Sequence, residues 1–427
     1  MPDGTATAHL LRPKLLTILQ EGYGLAALRK DAMAALTVAI VALPLSMAIA
    51  VASGVSPERG LYTAIVGGFV VSALGGSRFQ IGGPAGAFIV LVAATNARFG
   101  LDGLLLTVIL SGVFLTLIGL LRLGGLIRHI PHAVTVGFTG GIAGTILASQ
   151  LKDFAGLHLA GAEPGEFFPK LLALANALPT INPAALGLGV AVAAIIFIFR
   201  RYRPAWPGML IAIVAASLAA AVFGLPVETI GTRFGELPQG VPTPALPTMS
   251  LAMIWQVLPA ALSFTLLGGV ESLLSAKVAD GMTGRKHRSN MELVAQGLAN
   301  VASGLFGGIA VTGTIARTAT NVRAGAHGPL SGIMHCVFLL AFILVAAPLA
   351  RYVPLAGLAG ILVVVCWNMA EKAEIWRLLK DWRTAAVFLT TFGLTLAKDL
   401  TFGIIAGCVV AAVLSLLHRG VAEEGED

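Results

Sequence analysis

Two short stretches carry the residues that could do chemistry: Gly82-Gly83-Pro84-Ala85-Gly86-Ala87-Phe88 and Thr312-Gly313-Thr314-Ile315-Ala316-Arg317-Thr318. Each restarts a short apolar run just after Gly or Pro, at matching places in the two halves of a very hydrophobic chain. A helix that begins inside a bilayer leaves its first N–H groups without partners, and those groups attract anions. A matched pair of interrupted segments is the best sequence pointer to the binding site of an inverted-repeat transporter. The chemistry expected is the holding of an anion, with no bond made or broken.

Arg317 adds a fixed positive charge to one of these dipole ends, and a guanidinium does not deprotonate to escape the cost. Its bland reading is a snorkelling side chain at the end of a short helix. Pro84, Ala85, Gly86, Ala87, Thr314, Ile315 and Ala316 complete the expected binding surface. Small side chains admit an anion to the backbone N–H groups, and the Thr hydroxyl can donate one more hydrogen bond. The same small residues also suit close helix packing.

Glu271 is the one carboxylate deep inside a long apolar run, between Leu266-Leu267-Gly268-Gly269-Val270 and Ser272-Leu273-Leu274-Ser275-Ala276. Burial disfavours the charged form of a carboxylate, so such a group can carry a proton. Glu271 therefore reads either as a proton-coupling residue or as half of a fixed ion pair with Arg317, and Ser275 lies one turn away on its face. Pro44 is expected to break the first segment and bring Leu45 and Ser46 to the same site. His129 and His132 flank Pro131 at a helix start and read as interfacial.

The segments that position these residues follow from composition. Mean hydropathy is +0.89, and 57% of residues are hydrophobic against 11% charged, which excludes a soluble protein. At about 20 apolar residues per crossing, the 427 residues hold fourteen segments. The first seven fall near 31–52, 59–75, 84–97, 103–122, 130–150, 183–200 and 206–225. The second seven fall near 254–278, 291–309, 314–326, 328–350, 353–370, 384–398 and 400–418. Segments three and ten are too short to span alone, and 163–178 reads as an interfacial helix.

The expected organisation is thus a segment over 1–30, a first repeat over 31–225, a linker over 226–252, a second repeat over 253–419 and an acidic tail over 420–427. The halves align at a shift of about 229 residues, and seven segments per repeat make the second half inverted. With both ends cytoplasmic, 21 of the 28 Lys and Arg fall inside, which also accounts for the net charge of +7 without nucleic acid. Cys336, Cys366 and Cys408 lie in apolar runs and read as packing residues, with no metal or cofactor implied. An intramembrane enzyme is excluded by the lack of His-Glu-x-x-His, Gly-x-Ser-x-Gly or an intramembrane Asp pair. Gly137–Gly141 and Gly403–Gly407 are small-residue packing motifs.

At these residues the chain resembles the SulP/SLC26 family of anion transporters over essentially 31–419. The Pro-containing first segment, the Gly-Gly-Pro start of the third and Glu271-Ser272-Leu273-Leu274-Ser275-Ala276 all look like that family. The most specific stretch runs from Gly307-Gly308 through Thr312-Gly313-Thr314-Ile315-Ala316-Arg317-Thr318-Ala319-Thr320-Asn321-Val322-Arg323-Ala324-Gly325-Ala326.

The resemblance implies an all-α polytopic membrane protein of fourteen transmembrane segments in a seven-plus-seven inverted repeat. A core domain (segments 1–4 and 8–11) would carry sulfate, bicarbonate, chloride, oxalate or a dicarboxylate past a gate domain (5–7 and 12–14), often in dimers. Many relatives carry Gln where Leu45 stands and some carry Ser where Ala316 stands, so fewer polar side-chain contacts to the anion are expected. Relatives that use sodium place an Asp and a hydroxyl residue near Glu271 and Ile315. Ile315 offers no cation ligand, so a proton is expected instead. Relatives usually continue into a STAS domain, whereas this chain stops at Glu423-Glu424-Gly425-Glu426-Asp427. The expectation is a proton-coupled symporter of a small anion in the cell membrane, working by elevator motion. A dicarboxylate or bicarbonate carrier, or an uncoupled exchanger or channel, is the alternative.

Overall fold

Long runs of Leu, Val, Ala and Ile in a membrane must satisfy every backbone polar group internally, which restricts them to helices. The computed structural model describes residues 11–127, 131–161, 163–164, 166–204, 206–238, 240, 242–398 and 400–423. In chain order the first helices are α1 (Lys14–Glu21), α2 (Leu25–Ala52), α3 (Pro57–Tyr62) and α4 (Gly68–Leu74), the last two joined by a π turn. A two-residue strand β1 (Gly82–Gly83) precedes α5 (Ile89–Leu120), followed by α6 (Gly124–Ile127), α7 (His132–Ala155), α8 (Phe167–Asn176), α9 (Pro183–Tyr202), α10 (Gly208–Val222) and α11 (Ile230–Phe234). Then come α12 (Leu251–Thr283), α13 (Ser289–Leu305), strand β2 (Thr312–Gly313), α14 (Ile315–Arg323), α15 (Leu330–Ala346), α16 (Leu355–Met369), α17 (Lys372–Leu378), α18 (Trp382–Ala397) and α19 (Leu400–Glu423). Among the described residues, seven helices are long and apolar enough to cross a membrane.

Several expected boundaries move, for identifiable reasons. Helix α2 starts at Leu25 rather than near residue 31, because Asp31 is fully buried and accepts from Tyr23 Oη (2.5 Å), His327 N (2.6 Å) and Gly328 N (3.0 Å). A carboxylate with three donors no longer marks a helix end. Nor does Pro44 break α2, which runs on to Ala52. Within α5, the segments expected at 84–97 and 103–122 are two helices separated by a kink at Gly100 (φ +68°). The linker over 226–252 is not wholly irregular, since α11 begins there behind a reciprocal Thr229–Thr232 cap.

The chain divides into two compact units. The larger comprises Met1–Arg128, Asp153–Gly156 and Asn182–Ile361, and holds both broken segments. Its helices α5 and α13 cross at Gly112 and Gly297: a Cβ on Gly112 would lie 2.5 Å from the Gly297 carbonyl, and one on Gly297 would lie 2.4 Å from Thr116 N. The smaller unit comprises His129–Lys152, Leu157–Ile181 and Leu362–Asp427. Here Gly137 and Gly141 of α7, and Gly403 and Gly407 of α19, all face Thr391 or Thr395 of α18. Both small-residue motifs thus serve packing within the chain.

All five tryptophans, Trp206, Trp255, Trp367, Trp376 and Trp382, are more than half exposed, as befits amphipathic rings at a membrane–water boundary. Exposed Val222, Phe223 and Val345 would meet lipid. His132 lies 3.4 Å from Glu374 Oε2, while His129 lies outside the described residues.

Backbone contact at the α5–α13 crossing leaves no room for a methyl group. Gly297→Ala should cost about 1–3 kcal/mol and lower the unfolding temperature of the detergent-solubilised protein. Gly187→Ala, where a Cβ meets nothing within 4 Å, should leave that temperature unchanged.

Candidate functional site: two half-helices joined by a two-stranded sheet

The backbone at the two breaks is joined directly. Strands β1 and β2 pair antiparallel, with Gly82 opposite Gly313 and Gly83 opposite Thr312. Thr314 N extends the ladder by donating to the Ile81 carbonyl (3.0 Å). Beyond the sheet each chain turns into a helix start, at Gly86–Phe88 on one side and at Ile315 of α14 on the other. Two N-terminal dipole ends therefore leave one sheet, and their first N–H groups have no intrahelical acceptors.

Buried hydroxyls and amides hold this arrangement in an apolar surrounding. Ser272 Oγ of α12 lies 2.7 Å from Thr312 Oγ1 and accepts from Gly313 N (3.4 Å). Gln80 Nε2 donates to the Ser272 carbonyl (3.1 Å), and the Thr318 hydroxyl accepts from Ile81 N (3.1 Å). Asn300 of α13 accepts from Val311 N (3.0 Å) and donates to Val311 O (2.8 Å), replacing a missing strand. Asn321 of α14 donates to Phe79 O and Ser331 Oγ, both at 2.9 Å. Glu292 accepts from Gly76 N (2.8 Å) and Ser77 N (2.9 Å) on the approach to β1.

Arg317 sits at the junction. It is 1% exposed, and Nη2 donates to Ser46 Oγ and to the Pro84 carbonyl, both at 3.2 Å. Its Nε and Nη1 have no partner although both are buried. The guanidinium also explains Gly83, where a Cβ would lie 2.2 Å from Nη1. A snorkelling role is ruled out by this burial. Leaving such donors unpaired in a low-dielectric site costs several kcal/mol, which a bound anion would offset.

The other expected residues fall into place unevenly. Leu45 and Ser46 are buried, 6% and 0% exposed, with Ser46 on the guanidinium. Ala85 and Ala87 are buried, whereas Gly86 is half-buried and Ile315 and Ala316 are exposed. The Thr314 hydroxyl donates to Ile81 O (3.3 Å) rather than facing the helix start freely. Glu271 is 9% exposed and makes no ion pair with Arg317 or any other described residue. Ser275 does not bond Glu271; its Oγ donates to Thr318 Oγ1 (3.1 Å) and so belongs to the scaffold.

Sequence reading missed Gln80, Ser272, Asn300, Thr312, Thr318 and Asn321 as a connected set. The signal available was their polarity inside runs otherwise apolar. It also missed His335, fully buried with Nε2 unpartnered beside Cys336.

A helical membrane protein with two head-to-head half-helices and a buried guanidinium between them has the architecture of an anion permease. The chain belongs to the sulfate permease family, matching it over residues 28–392, and that family consists of transporters, not enzymes. It is 44% identical over 406 residues to the putative sulfate transporter YvdB of Bacillus subtilis, covering 94% of this chain and 76% of that one. It is 33% identical over 405 residues to the bicarbonate transporter BicA of a Picosynechococcus strain, covering 91% and 70%. The transmembrane domain of a cyanobacterial BicA matches it with a TM-score of 0.80 at 30% identity, over 90% of this chain and 98% of that one. Murine Slc26a9 in its inward-facing state shares the fold alone, with a TM-score of 0.85 at 19% identity over 96% and 71%.

Two substitutions separate scaffold from site. Ser272→Ala strips a partner from Thr312 and Gly313 and should cost about 1–3 kcal/mol, read as a lower unfolding temperature without any anion present. Gly83→Ala pushes into the guanidinium and should weaken anion binding by about tenfold or more, read by calorimetric titration of the purified protein.

Proposed function

We propose that this anion transporter carries sulfate or a related small inorganic anion, in symport with a proton. The observation that carries the reading is the buried Arg317 guanidinium with Nε and Nη1 unpartnered. In this reading the anion takes those donors together with the first N–H groups after Ala85 and Thr314. Leu45, Ser46, Pro84, Gly86, Ala87, Ile315 and Ala316 shape its surroundings.

Glu271 is the proton carrier. It is buried and has no ion-pair partner among the described residues to hold it ionised, so in this reading protonation removes a negative charge as the anion enters. Ile315, at the position where a sodium ligand would be needed, has none to offer. The 44% identical relative is named a putative sulfate transporter and the 33% identical one a bicarbonate transporter. A carrier for bicarbonate, supported by the 30% identical cyanobacterial structure, or for a dicarboxylate is the second reading.

The larger organisation proposed is the one expected from the sequence. Fourteen segments form a seven-plus-seven inverted repeat in the cell membrane, with both termini cytoplasmic. A homodimer works by elevator movement of core against gate.

Uptake of labelled sulfate into proteoliposomes tests this directly, with and without an inward proton gradient, and challenged with bicarbonate, fumarate or chloride. The gradient should stimulate uptake. Glu271→Gln should abolish that stimulation, and Arg317→Ala should cut uptake by about tenfold or more. Gradient-insensitive sulfate uptake would overturn symport, and uptake of bicarbonate in place of sulfate would establish the second reading.

A further inference from the structure

The N-terminal helix α1 is docked onto the segment that leads into the first break. Lys14 N donates to the Gly75 carbonyl and Arg288 N to the Gly76 carbonyl, both at 2.9 Å. Arg288 Nη1 reaches back to Arg12 O (2.8 Å) and Thr17 Oγ1 (3.0 Å). Arg78, only 8% exposed, pairs with Glu21 at the other end of α1. Four cations, Arg12, Lys14, Arg78 and Arg288, thus converge where α1 meets the α4–β1 segment and the start of α13.

Their compensation is incomplete. The acids that face them are Glu21, engaged by Arg78, and Asp280, whose Oδ2 is held by His287 Nδ1 (2.6 Å) and His287 N (3.0 Å). Lys14 is 9% exposed, yet its ammonium has no hydrogen-bond or ion-pair partner among the described residues. Arg288 is 6% exposed and its Nε has no partner. Burial, and then the Arg288 and Arg78 guanidiniums, draw the Lys14 ammonium down to about 8, while Glu21 and Asp280 act in the opposite sense. Like charges gathered out of water without counter-ions raise the free energy of the fold unless an anion joins them.

We infer that this cluster is a second anion site, used for fastening and not for transport, that takes a tetrahedral phosphate group. Lys14 Nζ and Arg288 Nε are its donors, with Arg12 and Arg78 around them. Phosphate suits a guanidinium and an ammonium that must be satisfied together. The phosphate belongs either to a free ion or to an anionic lipid headgroup, and α1 exposes Leu16 and Leu19 (49% and 52%) to accompany a lipid. Bound there, it clamps α1 to Gly75–Arg78, the approach to β1.

The test uses the full chain carrying Arg317→Ala, which removes the transport site, in neutral phosphatidylcholine nanodiscs. Inorganic phosphate is titrated calorimetrically, and in parallel the unfolding temperature is compared between neutral discs and discs containing phosphatidic acid. Phosphate should bind with an affinity that Lys14→Gln lowers by about tenfold and that Lys14→Arg keeps. Binding should also weaken as pH rises from about 7.5 to about 9.5, because Lys14 loses its proton there, and Lys14→Gln should abolish that trend. Stabilisation by phosphatidic acid alone, lost in Lys14→Gln, would make the lipid the source and uphold the site. Equal binding by Lys14→Gln, or no effect of either probe, would overturn it.

Discussion

Everything at the centre of this protein depends on one constraint: two helices begin inside an apolar body, and the backbone on either side of each start must still be hydrogen-bonded. Water cannot do this, and regular helix has run out. The chain solves the problem by pairing the two breaks with each other, Gly82 against Gly313 and Gly83 against Thr312. Asn300, Ser272, Thr318 and Asn321 complete the groups that two residues of sheet cannot reach. The scaffold thus meets the backbone's needs on the approach to each half-helix.

The second consequence is electrostatic. Arg317 has two of its donor nitrogens buried and without acceptors among the described residues. A guanidinium in that position is costly in the empty protein and favourable only with a negative partner. Glu271 does not fill that role, since no ion pair joins the two.

Much of this was legible one residue at a time. The two breaks, the guanidinium beside the second and the lone carboxylate at 271 all interrupt apolar runs, and each interruption has a cost that demands a reason. What stayed hidden was pairwise. Asp31 read as a boundary because its partners, Tyr23, His327 and Gly328, arrive mostly from almost 300 residues away. Ser275 read as a neighbour of Glu271 because helix spacing places it on that face, yet Thr318 on another helix takes its hydroxyl. Gly137, Gly141, Gly403 and Gly407 had a recognisable motif but no addressee until α18 was seen between them. Hydropathy reports whether a residue is buried, not which partner 200 positions on makes burial tolerable.

The antiparallel pairing of β1 with β2 also bears on how the chain is made. When Gly82 and Gly83 leave the ribosome, their partners Thr312 and Gly313 are still 230 residues from being synthesised. The carboxylate that caps Gly76 and Ser77, at Glu292, is almost as late. Throughout that interval the backbone groups of Gly82 and Gly83 are without their sheet partners, and must find water or another protein group instead. The approach to the first half-helix therefore reaches its final hydrogen bonding only after Thr312 and Gly313 have been made.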